Sequence, residues 1–428
     1  MRLHPRDNKL TAYVGFQKLY RSICTVLENS SSDCVTHGYA RKMEIAPRLT
    51  VEQRKTVLSM PPNLFVTMPE EVPVAPCPIS DLTPLITYFM SNPPRLPKEN
   101  VKFVRGVVVH VSLTNGQKGV VDLCKQVIGP EGVIPLLESL MMCKRVEGLL
   151  LGSNITGSKG AREIAKCIRR EDNQITIWYL GGNQFGPEDI AVISRALERD
   201  TKVRALWLKR NPVLPEGTGY LTRMLAVSAT LTTLDVSNCG ILDAGCIALF
   251  KEGMMYNHAM KHLYLNTNGI TEAGCHVIAE YFEAGGTLES LYKSCNPIGD
   301  EGTEIVAKSL KRNTAIVRLG LASCAIGEIG ITALCETFPT LPHLEYLNLG
   351  FTKGTYIFNG LPNYLGLEGI TKLCTVLPSM CSLRYLDINH NQIPPEGLEL
   401  LLTTLRVLPE GQGLTTLMCG QFEWNGLD

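Results

Sequence analysis

Residues 203–211 read VRALWLKRN, and this stretch decides the fold. Apolar side chains at Val203, Leu206 and Leu208, then Asn211, give the pattern apolar-x-x-apolar-x-apolar-x-x-Asn. Moving outward, the pattern returns as ITIWYLGGN (175–183) and VEGLLLGSN (146–154) on one side. On the other side it returns as LTTLDVSNC (231–239), MKHLYLNTN (260–268), LESLYKSCN (288–296), IVRLGLASC (316–324) and LEYLNLGFT (344–352). After an interruption come LRYLDINHN (383–391) and LTTLMCGQF (414–422). The last apolar position of each copy falls at 151, 180, 208, 236, 265, 293, 321 and 349, in steps of 28 or 29 residues. Spacing this even marks a repeat architecture. Between the copies a glycine opens a turn and apolar residues then recur at helical spacing, as in GSKGAREIAKCI (157–168), TEAGCHVIAEYF (271–282) and GDEGTEIVAKSL (299–310).

One strand and one helix per 28 or 29 residues resembles the ribonuclease-inhibitor-like leucine-rich repeats, a class shared by the GTPase-activating proteins for Ran and the sensor arrays of NOD-like receptors. The resemblance covers roughly residues 103–422. It implies an α/β fold, a curved leucine-rich-repeat solenoid or horseshoe with a parallel sheet on its concave face and helices on its convex face. Leu149, Leu151, Leu206 and Leu208 then point inward and stack on their equivalents in neighbouring turns. The Asn at 154, 183, 211, 268, 296 and 391 stands where the chain leaves each strand, and its carboxamide can satisfy backbone groups freed by the bend. Cys239 and Cys324 take the same slot, and Cys246 and Cys275 take equal places in successive helices, so these four need no redox chemistry.

The solenoid is expected over residues 101–428, about 10–11 repeats in all. Residues 103–145 read as a degenerate first repeat, with FVRGVVVHV (103–111) as its strand and IGPEGVIPLLESL (128–140) as its helix. Residues 1–100 form a separate N-terminal helical and Pro-rich region for capping or docking. Residues 16–28 have helical spacing, Thr50-Val-Glu-Gln53 resembles a capping box, and Asp81 is placed to cap a short helix through Met90. Ten of the 25 prolines fall in 61–97, which favours extended or looped chain there. Phe422 and Trp424 stand where they could cover the end of the last repeat. The step from 349 to 388 is 39 residues, so an insertion is placed near 353–364; it carries Tyr356, Phe358 and Tyr364, aromatic for a surface loop and thus candidates to meet a partner.

The chain has 428 residues, 41 basic and 41 acidic, with 45% hydrophobic. Charge balance of this kind argues against a nucleic-acid or membrane-surface binder. No apolar run reaches the roughly 20 residues of a membrane span, and the opening MRLHPRDNKLTAYVGF has no secretory h-region. Fifteen cysteines, an odd number without disulfide-scaffold spacing, fit a reducing, cytoplasmic setting. There is no phosphate loop, no HExxH and no paired CxxC, so no enzyme activity, cofactor or metal is expected.

Function is expected on the strand face. The position before each final apolar residue reads Leu150, Tyr179, Trp207, Asp235, Tyr264, Tyr292, Gly320, Asn348, Asp387 and Met418. Tyr179, Trp207, Tyr264 and Tyr292 should form a row roughly 20 Å long. Arg204, Lys209, Arg210, Lys261 and His262 surround it. Tyr, Trp and Arg dominate interface hot spots, although such rings also stabilise a sheet by stacking on one another. A second cluster is Arg318, Tyr346, Arg384, Tyr385, Asp387 and His390. Lys293 takes a slot that other copies give to apolar residues, so a distorted strand or an outward side chain is expected there. The leading reading is a monomeric scaffold or adaptor that binds a protein partner without catalysis. The Ran activators make a small GTPase a candidate partner and GTPase activation an alternative, although their acidic tail has no counterpart in the closing EWNGLD (423–428). A bacterial effector or an innate-immune-type sensor is a further alternative.

Overall fold

The computed structural model describes residues 75–94, 96, 101–102, 108–114, 118–352, 361–408 and 414–420. The expected elements at 16–28 and 50–53, and the side chains of Tyr356, Phe358, Phe422 and Trp424, lie outside the described residues. The described chain divides into two compact units between Tyr292 and Lys293.

The first unit opens with α1 (Ile79–Met90), which buries Leu82, Leu85 and Phe89 against α2 (Gly129–Met142). Asp81 lies inside the first turn of α1 and does not cap it; the cap position belongs to Pro78. Two antiparallel pairings follow, β1 (Val101–Lys102) with β2 (Val108–Thr114) and β2 with β3 (Lys118–Asp122). The strand that begins the parallel series is therefore β3, not the expected 103–111. β2 runs antiparallel to β3, with Thr114 opposite Lys118 and His110 opposite Asp122, so it stands outside the parallel series. From β3 every pairing is parallel: β4 (Val146–Leu150), β5 (Ile177–Tyr179), β6 (Ala205–Trp207), β7 (Thr233–Asp235), β8 (His262–Tyr264) and β9 (Ser290–Tyr292). Parallel neighbours need a crossover. Here it is a helix each time: α3 (Gly157–Arg169), α4 (Pro187–Leu197), α5 (Leu214–Val227), α6 (Leu242–Ala248) and α7 (Glu272–Glu283). The step from 236 to 265 carries 29 residues, and a π-helical turn at Leu249–Gly253 takes up slack after α6.

The second unit repeats the plan with α8 (Gly299–Leu310), β10 (Arg318–Gly320), α9 (Glu328–Thr337), β11 (Tyr346–Asn348), α10 (Gly366–Val376), β12 (Tyr385–Asp387), α11 (Pro395–Arg406) and β13 (Thr416–Met418). Strands β10 to β13 are parallel and in register, with Leu319, Leu347, Leu386 and Leu417 aligned and buried. Within each unit the core lies between a strand layer and a helix layer. In the first unit its strand side is Leu149, Trp178, Leu206, Leu234, Leu263 and Leu291, all fully buried. Full burial of a leucine-sized side chain contributes about 1.5–3 kcal/mol, so each repeat draws its stability from its neighbours.

Side-chain amides hold the strand exits. Asn211 Oδ1 accepts from the Asn183 and Phe185 N–H groups at 2.9 and 3.1 Å, and its Nδ2 donates to the Leu180 and Leu208 carbonyls at 3.1 and 2.7 Å. Asn183 and Asn268 each bond the two flanking turns in the same way. Cys239 Sγ reaches the Leu208 carbonyl at 3.4 Å, so a thiol fills the slot more weakly. The residue before each slot has positive φ: Ser153, Gly182, Arg210, Asn238, Thr267, Cys295, Ser323 and His390 lie between 53° and 65°. Non-glycine residues there carry strain of order 1 kcal/mol, which the buried amide network must outweigh. A second polar position closes the opposite turns, where Asn257 Oδ1 accepts from Ala259 and Met260 N–H and Asn313 Oδ1 from Ala315 and Ile316 N–H.

The ladder also locates the insertion. In the repeat after β11 the slot is filled by Asn363, whose Oδ1 accepts from Cys324 and Ile326 N–H and whose Nδ2 donates to the Leu321 and Leu349 carbonyls. The extra residues therefore enter between Thr352 and Asn363, at the end of β11.

Two aspartates tie one helix to the start of the next. Asp243 Oδ1 accepts from Thr271 and Gly274 N–H at 2.9 Å each, and Thr271 Oγ1 donates to its Oδ2 at 2.6 Å. Asp300 Oδ1 does the same for Gly327 and Gly330 N–H. A carboxylate at a helix N-terminus meets unpaired N–H groups and the positive end of the dipole. A Cβ on Gly274 would collide with Ile270 Cγ2 and sit 2.8 Å from Asp243 Oδ1, which is why glycine stands there.

Lys293 departs from expectation. Its side chain is fully buried, and its N–H donates to the Gly320 carbonyl at 2.9 Å, as in an undistorted strand exit. The methylene stem occupies the place that leucine takes in other repeats.

Asn211→Ala should destabilise the protein by roughly 3 kcal/mol, because four buried backbone groups lose their partner, and Asn211→Cys by less; the shift in the denaturant midpoint reads both. Asp243→Ala should cost about 1–2 kcal/mol by the same measurement, and Gly274→Ala at least as much, as capping losses do.

Candidate functional site

The strand register of the first unit sets Tyr179, Trp207, Asp235, Tyr264 and Tyr292 side by side in one row. Alternation explains why: the neighbours Trp178, Leu206, Leu234, Leu263 and Leu291 turn into the core, so the next residue faces out. The four rings are half-buried and fall into two pairs. Tyr264 and Tyr292 stack with centroids 4.6 Å apart and planes within 2°. Tyr179 and Trp207 lie 6.3 Å apart and tilted by 38°. Lys209 Nζ stands 5.1 Å from the Tyr179 centroid, a cation–π contact. On its other flank Tyr179 lies over Gly152, where a Cβ would come within 2.4 Å of the ring. Tyr179 is thus held in place between Lys209 and Gly152.

Asp235 sits between the two pairs but is only 5% exposed. Its Oδ1 accepts from the Ser237 N–H at 2.8 Å. Burial raises its pKa, opposed by the Ser237 hydrogen bonds and the Lys209 charge. The same turn recurs wherever Asp or Asn takes this column: Asp122 with Cys124 N–H, Asn348 with Gly350 N–H and Asp387 with Asn389 N–H. These side chains fasten the strand exit. Sequence reading placed Asp235 and Asp387 in the row but did not see this use; the signal was an Asp or Asn two residues before the bend.

Of the surrounding polar residues, Lys261 pairs with Glu289 at 2.6 Å, and His262 Nδ1 lies 2.9 Å from Ser290 Oγ. Arg204 and Arg210 are exposed, and neither forms an ion pair among the described residues. Burial pushes the Cys124 thiol up to about 12, so it stays protonated near neutrality and is a poor nucleophile.

In the second unit the register aligns Arg318, Tyr346, Tyr385 and Thr416. Tyr346 and Tyr385 stack at 4.4 Å with planes 11° apart. The Tyr385 hydroxyl donates to Asp387 Oδ2 at 3.5 Å, and burial with the Asp387 charge raises the Tyr385 pKa. Phe351 meets His390 edge-on at 5.6 Å, and burial lowers the His390 pKa. Arg384 turns its guanidinium to the Cys381 and Leu383 carbonyls. Tyr364 is half-buried, with its ring against Gly366 at the start of α10. Among the described residues no cluster of His, Cys, Asp or Glu could hold a metal ion, and no helix is long and apolar enough to cross a membrane.

Comparison with known proteins agrees with the repeat. Residues 227–250 and 379–402 match the Leucine Rich repeat family model. The chain is 27% identical over 172 residues to the ribonuclease inhibitor of Mus musculus, covering 40% of this chain and 38% of that protein. It is 24% identical over 317 residues to NACHT, LRR and PYD domains-containing protein 14 of Homo sapiens, covering 69% of this chain but 27% of that protein. The alignments thus span well under half the length of these relatives. Among solved structures, an internalin (inlF) from Listeria monocytogenes aligns over 71% of this chain and 80% of its own, with 17% identity and a TM-score of 0.36. The repeat and its amide ladder make the chain a leucine-rich-repeat α/β fold, and in sequence it is similar to ribonuclease inhibitors and to NACHT, LRR and PYD domains-containing proteins.

Proposed function

We propose that this protein is a scaffold or adaptor that binds a protein partner on its strand face and performs no catalysis of its own. The observation that carries the reading is the row of four half-buried rings held in strand register, Tyr179, Trp207, Tyr264 and Tyr292. Rings already fixed by stacking lose little rotamer freedom on binding, and large rigid aromatics supply most hot-spot energy. Repeat arrays use an extended face of this kind for macromolecular partners. Tyr346 and Tyr385 extend the same logic to the second unit. All thirteen described cysteines are free, eight of them buried, which supports a reducing, cytoplasmic setting.

In this reading Asp235 and Asp387 shape the face and do not touch the partner. The test is affinity capture of the partner with wild type and with Trp207→Ala/Tyr264→Ala. The double variant should melt close to wild type and lose the partner by at least about a hundredfold in Kd, since hot-spot truncations each cost about 2 kcal/mol or more. A partner held equally by both chains would move the interface off the row. Asp235→Asn keeps the acceptor for Ser237 N–H and removes a desolvated charge. Because the folded-state pKa of Asp235 is raised, its ionised form opposes folding above that pKa. The variant should therefore melt higher than wild type at neutral pH, with the difference shrinking as pH falls through the Asp235 titration, and it should still bind.

A further inference from the structure

Two exposed charges without an ion-pair partner among the described residues flank one strand of the first unit. Trp207 closes β6, and Arg204 and Arg210 stand three residues before and three after it, at the two edges of the strand layer. Both guanidiniums are exposed and neither has an acidic partner among the described residues. The other charges nearby are already answered. Lys261 is paired with Glu289, Lys209 lies over Tyr179 with its charge acting on Asp235, and Lys202 donates to the Arg170 and Glu171 carbonyls. The position equivalent to Arg204 is Thr176 in the strand before and Thr232 in the strand after, so no carboxylate of this face stands beside it.

From this we infer that the partner presents an acidic protein segment, whose carboxylates engage Arg204 and Arg210 while an apolar or aromatic side chain packs on Trp207. The inference rests on the strand face being the binding surface. Arginine suits the role because its planar fork takes a carboxylate in two parallel hydrogen bonds. The positive character is local, since the whole chain balances 41 basic against 41 acidic residues. Two free guanidiniums are too few for a nucleic-acid site, where several phosphate contacts carry the affinity. Charge complementarity at the edges with a ring between them is the usual division of labour at protein interfaces, the charges setting orientation and on-rate.

The experiment uses the full chain and immobilised polymers as probes: a Glu–Tyr copolymer, poly-lysine, and oligo-dT. Wild type should bind the Glu–Tyr copolymer above the other two, with affinity falling as salt rises. Arg204→Glu/Arg210→Glu should weaken copolymer binding by about tenfold or more, and Trp207→Ala should weaken it with an unchanged salt slope. Arg162→Glu/Arg169→Glu, an equal charge change on exposed positions of α3, should leave binding within about twofold and controls for net charge. No copolymer binding at any salt concentration, preference for poly-lysine or oligo-dT, or equal loss in the α3 variant would each overturn the inference. If a partner lost by Trp207→Ala/Tyr264→Ala is retained by Arg204→Glu/Arg210→Glu, the strand face stands as the interface and only its acidic chemistry falls.

Discussion

Everything on the strand face depends on one buried hydrogen-bonding group per repeat. A chain that turns out of a parallel strand every 28 residues leaves N–H and C=O groups without ladder partners, and in the interior each would cost the full desolvation of a polar group. Asn211, with two acceptances and two donations that join its own strand exit to the preceding one, answers that cost and fixes the spacing between turns. Once spacing is fixed, register is fixed, and the residue after each inward leucine must appear in the same column. The alignment of Tyr179 with Trp207, and of Tyr264 with Tyr292, is thus a by-product of amides buried several residues away.

The architecture was legible because period and polarity agree. Strand, helix and ladder slot could be placed from the 28–29-residue step, since each is a statement about apolar spacing or one amide. What escaped has a physical reason in each case. The antiparallel entry through β2 and β3 lies outside the 28–29-residue period, so the period carries no sign of it. Asp243 and Asp300 act on a neighbouring repeat, and an exposed-looking acid in a helix's first turn gives no sign of reaching the next helix. Lys293 shows the limit of polarity as a guide, because a long stem can substitute for leucine by volume.

The candidate site was legible in membership more than in geometry. The row itself follows from strand alternation, but nothing in the sequence tells that its rings pair off, that Tyr179 is clamped by Lys209 and Gly152, or that Asp235 is sunk between the pairs. For Tyr179 the outcome depends on the absence of a side chain at Gly152, beneath its ring. Beside Trp207, by contrast, Arg204 and Arg210 stand exposed.

The displaced slot at Asn363 carries a consequence for how such chains diversify. Because closure is made by an amide that arrives in the right place, and not by a fixed number of residues after the strand, the length between Thr352 and Asn363 is free to vary without disturbing β11 or α10. A loop-length change costs only a logarithmic entropy term. That junction is a natural splice point, where new sequence can be grafted at the rim of the sheet while the scaffold beneath keeps its pitch.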